Sequence, residues 1–129
     1  MWLEAVDNAE AVCSLYDSPP SLKRVWIRKV ELQQDGPTLA LHIQIRDLPN
    51  RPPPRWREPY NPVTFEMLLL GASDLHVEGW DTENIADVLF RRNETGTIEA
   101  SILGGRFVMS PRCIEIRVQK FSPFLADHE

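Results

Sequence analysis

Few of the residues that build catalytic and metal centres are present. The 129 residues include only three histidines and two cysteines. Cys13 and Cys113 stand near opposite ends of the chain, with no Cys-x-x-Cys or Cys/His spacing, so no zinc ligand set is apparent and a disulfide is neither required nor excluded. A chain of this length buries roughly two thirds of the surface its unfolded form exposes, enough to fold without a staple. No glycine-rich loop follows a strand pattern and opens a helix, so nucleotide phosphates have no cradle; Gly104-Gly105 reads as a hairpin turn. No apolar run approaches the roughly 20 residues that span a bilayer. Met1–Asn8 carries acids where a signal peptide would carry lysine or arginine, so a cytoplasmic protein free of membranes is expected. Without a secretion signal the sequon Asn93-Glu94-Thr95 carries no weight. Basic residues are outnumbered 14 to 19, for a net charge of −5, which argues against a nucleic-acid partner and permits a basic protein partner.

Proline, by contrast, is concentrated. Residues 49–62 hold six of the eleven prolines, together with Arg51, Arg55, Arg57, Trp56 and Tyr60. Proline fixes φ and removes a donor, so this segment is expected as a stiff surface loop that loses little entropy when something docks on it.

Elsewhere the hydrophobic period assigns elements. Leu3, Val6, Val12, Leu15 and Tyr16 recur at helical steps, so residues 2–16 are expected as a helix that Ser18-Pro19-Pro20 stops. The period then becomes two. Leu39, Leu41, Ile43 and Ile45 alternate with Ala40, His42, Gln44 and Arg46, and Val63, Phe65, Met67 and Leu69 give a further alternating strand. Within 23–33 the parity changes between Ile27 and Val30, which predicts a bulge near Arg28-Lys29 or two partly covered faces. Asp35-Gly36-Pro37 supplies a hairpin turn. Shorter strands are expected around Leu75 and Val77, Val88 and Phe90, Ile98 to Ile102, Phe107 and Met109, and Ile114 to Val118, with a short helical turn at 82–87. The expectation is an α+β fold of one domain over residues 1–129: an N-terminal helix packed on a mostly antiparallel meander, whether open sheet, sandwich or partly closed barrel.

Several strings in order carry a resemblance. The Trp-containing N-terminus, Tyr16 followed by Pro20-Ser21-Leu22, Asp35-Gly36-Pro37-Thr38-Leu39, Leu48-Pro49, Pro53-Pro54-Arg55-Trp56, Asn61-Pro62-Val63 and Gly79-Trp80 together resemble the immunity protein 50 family of bacterial polymorphic toxin systems. The resemblance implies a non-catalytic protein that binds and neutralises a cognate toxin domain. It implies no catalytic residue, cofactor or metal.

Two surfaces are candidates for that contact. One is the proline loop, where Arg55, Trp56, Arg57 and Tyr60 are residue types enriched in binding hot spots, although Trp56 folded back on the sheet is an equally plain reading. The other is acidic: Glu78, Trp80, Asp81, Glu83 and Asp87 cluster with no basic residue between 74 and 90, a pattern that can steer a basic, nuclease-type toxin or simply be a solvated loop. Trp2 and Trp26 are expected to pack together in the core. Other function classes remain open: a small ligand-binding domain using His42, His76 and Asp74, or an adaptor, monomeric or homodimeric through an exposed strand. Asp74-x-His76-x-Glu78 places three polar residues on one strand face, which reads as a solvated edge before it reads as a metal site.

Overall fold

The computed structural model describes residues 2–56 and 62–123. Among the described residues nine strands form one antiparallel sheet: β1 (Val25–Gln33), β2 (Thr38–Ile45), β3 (Val63–Leu70), β4 (Val77–Glu78), β5 (Ile85–Arg92), β6 (Ile98–Leu103), β7 (Val108–Met109), β8 (Arg112–Cys113) and β9 (Glu115–Pro123). The order is β4-β7-β6-β5-β1-β2-β3-β9, with β8 on β6. The strands that alternate most regularly in sequence take the longest ladders, because period-two patterning fixes which face turns inward. Leu39, Leu41, Ile43 and Ile45 of β2 face inward beside Val63, Phe65, Met67 and Leu69 of β3, all essentially buried.

Only Ile114 separates β8, on β6, from β9, on β3. That short link joins the two edges, so the sheet curls back on itself and the inward side chains of β1, β2, β3, β5, β6 and β9 form one core. Two bulges shape the curl. In β1 the register slips at Arg28, which brings Val25 and Ile27 before it, and Val30 after it, to the core. In β9 the slip lies at Lys120 and Phe121 opposite Phe65; Lys120 has φ 57°, and Phe121 stacks on Phe65 with ring centroids 4.7 Å apart.

The expected N-terminal helix over 2–16 is not there, and α+β is corrected to a mostly antiparallel sheet. A 3-10 turn at Trp2–Ala5 and one short helix, Glu10–Cys13, stand in its place. The reason lies at residues 6–8. Val6 bridges Ile116, the Asp7 N–H donates to the Ile116 carbonyl, and the Asn8 side chain both donates to the Val118 carbonyl and accepts from the Val118 N–H. The Asn8 side chain competes for backbone partners in this way and breaks a helix. The apolar positions still reach the core: Val6, Val12, Leu15 and Tyr16 are buried there.

Two tryptophan assignments also change. Trp2 and Trp26 do not pair. Trp2 stacks on Phe65 and donates its indole N–H to the Pro20 carbonyl, whereas Trp26 lies on the outer face of β1 with the Arg46 guanidinium 4.1 Å above its ring. Ile114, expected on a dry face, is 69% exposed at the β8–β9 break.

The two cysteines are free, Cys13 exposed and Cys113 buried. Burial pushes the Cys113 thiol from 9.0 up to about 11, against the opposing charge of Arg92. The folded state therefore keeps a proton that the unfolded chain gives up first. Stability associated with Cys113 should be intact below about pH 9 and fall as the pH climbs towards 11. Urea midpoints measured across that range should decline in the wild type more steeply than in Cys113→Ala; parallel curves would refute the assignment.

Candidate partner-binding surface

The acidic loop is built around Asn84. This residue is buried, its carbonyl accepts the Ile27 N–H of β1, and its side chain brackets Asp81, accepting from the Asp81 N–H and donating to the Asp81 carbonyl. The expected helical turn over 82–87 is therefore replaced by a side-chain-closed loop that passes directly into β5. The Asp81 carboxylate accepts the Thr82 N–H, a bond that fixes its direction. Gly79, at φ 71°, runs against the Arg106 backbone, and Trp80 meets Phe107 edge-on at 5.3 Å between ring centroids. Trp80 remains 47% exposed. Among the described residues no basic side chain pairs with Asp81 or Glu83, and both are exposed.

The other acids of the cluster have partners. Glu78 lies 2.9 Å from His76, and Asp87 accepts the backbone N–H of Arg24, a residue held at φ 54° just before β1. Asp87 is thus tied to the entry of β1. Trp80, Asp81 and Glu83 are left as the outward-facing group, and they share a cleft of about 320 Å3 with Trp26, Arg28 and Asn84.

The proline loop is partly in view. Arg55 is exposed, and Trp56 is half-buried against the core. Arg57 and Tyr60 lie outside the described residues. Arg51 anchors the loop: it donates to the carbonyls of Cys13, Ser14 and Tyr16, pairs with Asp17, and its own N–H reaches the Leu15 carbonyl. Those acceptors lie at the end of the short helix, where free carbonyls favour a cation.

His42 and His76 do not converge with Asp74. His42 faces Glu31 at 2.6 Å and Glu66 at 3.8 Å across β1, β2 and β3, His76 faces Glu78, and Asp74 faces Arg112 at 3.5 Å. The hydrogen bond from His42, helped by the Lys29 charge, holds the Glu31 carboxyl below its usual range. With Lys29 near Glu31 and Lys120 near Glu66, this is a charge ladder whose members neutralise one another. Sequence reasoning missed it because the partners lie on four different strands. Asp74, at φ 51°, precedes the two-residue β4, so Asp74, His76 and Glu78 are not on one strand face. Among the described residues no three His, Cys, Asp or Glu side chains gather to hold a metal, and no helix is long and apolar enough to cross a membrane.

Comparison with known families decides the kinship. The family model described as immunity protein 50 matches residues 8–124, nearly the whole chain. The chain belongs to the immunity protein 50 family. No curated protein and no solved structure matches it.

Proposed function

We propose that this member of the immunity protein 50 family is a non-catalytic protein that binds and neutralises a cognate toxin domain, and that Trp80, Asp81 and Glu83 make the contact, with Glu78 alongside. The observation that carries the reading is the family match over residues 8–124. The geometry supports it. The loop is preorganised by Asn84, so little ordering entropy is lost on docking, and its carboxylates are part of a net charge of −5 that attracts a basic partner. Arg55, Trp56, Arg57 and Tyr60 form the alternative contact surface.

Co-expression with the toxin domain encoded beside this gene tests the proposal. Host survival together with a co-purifying stoichiometric complex is the expected result; a harmless neighbour with nothing co-purifying would remove the reading. Alanine at Trp80 and at Trp56 then chooses between the surfaces. In the complex, reversing the charges of Asp81 and Glu83 should slow association more than it speeds dissociation, as rim charges do. Unchanged kinetics in both directions would eliminate the acidic surface. Asp87 is best left out of that reversal, because its bond to the Arg24 N–H would be lost too.

One observation favours a different class, a small-ligand module. A mostly apolar groove of about 510 Å3 lies among Trp2, Pro19, Pro20, Leu22, Leu89 and Phe90. A compound that raises the melting temperature, and loses the effect in Phe90→Ala, would support that class.

A further inference from the structure

We infer that the outer edge of β1, over residues 29–33, pairs antiparallel with the same edge of a second copy of this chain, so that the protein is a two-fold homodimer joined at Val30.

The first support is an edge left open inside the strand order. β1 pairs with β2 from Trp26 to Gln33 but with β5 only at Val25 and Trp26, after which the Ile27 N–H goes to the Asn84 carbonyl. Beyond that bond no strand among the described residues pairs with the outer side of β1. Alternate backbone N–H and C=O groups of residues 29–33 therefore point away from β2 as a template for another strand. The two ends of the strand order are blunted by comparison. β4 has two residues, and β9 is overlaid by Val6, Asp7 and Asn8 at Ile116 and Val118, with the Lys120 bulge and Pro123 beyond them.

The second support is an apolar side chain left in the open on that edge. Leu32 falls on the same side of β1 as Val30, which packs against the core, yet Leu32 is 70% exposed. Its partner across the ladder, Leu39, is 1% exposed, so the burial stops at the edge rather than along the strand. A further strand beside β1 is what would cover Leu32.

Charge selects both the occupant and the register. In a two-fold antiparallel pair, opposite residues share a face of the sheet, so the axis runs beside one residue that meets its own copy. With the axis at Val30, each Lys29 faces the partner's Glu31, and each Leu32 lies diagonal to the partner's Val30. The result is an ion pair on either side of the axis and a shared apolar row on the other face. An axis at Lys29 or at Glu31 would set like charges face to face, and an axis at Leu32 would pair the strand end alone. Lys29 and Glu31 lie 3.9 Å apart within β1 and both side chains reach solvent, so each can turn to a partner without leaving its face. The edge is thus complementary to itself.

The test is sedimentation velocity on the full chain across a wide range of concentration. The wild type should pass from monomer to dimer as the concentration rises. Lys29→Glu and Glu31→Lys each set like charges opposite one another, and each should weaken the dimer about tenfold. Lys23→Glu makes the same charge change at an exposed position outside the pairing stretch and should leave the dimer as it is. Mixing the Lys29→Glu and Glu31→Lys proteins in equal amounts should restore a heterodimer, because every contact between positions 29 and 31 across the axis then joins opposite charges. The double variant should restore the homodimer for the same reason. Glu31→Lys also gives up the His42 contact, so thermal melts accompany each run; Lys29→Glu keeps that contact and decides alone if Glu31→Lys does not fold. A wild type that stays monomeric, a dimer indifferent to Lys29→Glu or equally weakened by Lys23→Glu, or two folded variants that stay apart on mixing would each overturn the pairing. Toxin takes no part in these runs, so the immunity reading neither stands nor falls with them.

Discussion

Phe65→Ala is expected to cost about 4 kcal/mol of folding stability, within the range for truncating a buried phenylalanine. Phe65 is 1% exposed at the middle of a three-ring stack, with Trp2 at 6.4 Å on one side and Phe121 at 4.7 Å on the other. The neighbouring rings come from separate segments, the N-terminal 3-10 turn and the β9 bulge. Each is held by its own hydrogen bonds, Trp2 through the Pro20 carbonyl and β9 through the β3 ladder, so neither can slide in to fill the void. Chemical denaturation measures the loss. Phe65→Leu should cost less than half as much, since most of the volume remains. A loss below about 1 kcal/mol for alanine would mean that the stack does not hold these segments together.

Gly79→Ala is expected to cost about 3 kcal/mol, because two penalties add. Gly79 has φ 71°, a region that L side chains rarely adopt, and an added Cβ would lie 2.1 Å from the Arg106 carbonyl oxygen. That oxygen belongs to backbone and cannot rotate away, so the 79–84 loop or the 104–107 turn must move. Gly96 is the natural control. It has φ 89° but nothing within 4 Å of an added Cβ, so Gly96→Ala should show the conformational penalty alone, about 1 kcal/mol. The difference between the two variants isolates the steric part. Because Trp80 follows Gly79, the Gly79 variant should also lose partner binding well before it unfolds, whereas Gly96→Ala should bind normally. Equal stabilities of the two variants would contradict this loop geometry.

The strands are readable from the sequence wherever one face is dry. Leu39 to Ile45 and Val63 to Leu69 alternate so regularly that no other element fits, and the parity change between Ile27 and Val30 marks the bulge that the register shows at Arg28. The N-terminal segment misleads because helical spacing and a series of apolar anchors look alike over fifteen residues. Asp7 and Asn8 are the residues that decide it, and their partners, Ile116 and Val118, lie more than a hundred positions away. Closure of the sheet is out of reach for the same reason: it depends on β8 and β9 pairing with different neighbours across Ile114. At the candidate surface, composition locates the acidic loop but cannot sort its members. Asp87 lies half-buried in β5 and accepts the Arg24 N–H, whereas Glu83 is exposed in the loop before it. Trp26 reads as a core residue because tryptophan on an apolar-rich strand usually goes there. Its place under Arg46 is a product of which parity the β1 bulge leaves outside.

The most direct measurement is a titration of the purified toxin domain with this protein, following toxin activity and complex formation in the same samples. Toxin activity should fall in proportion to added protein and vanish at equal molar amounts, with the complex intact by size-exclusion chromatography. Full toxin activity in a large molar excess of the folded protein would contradict toxin neutralisation.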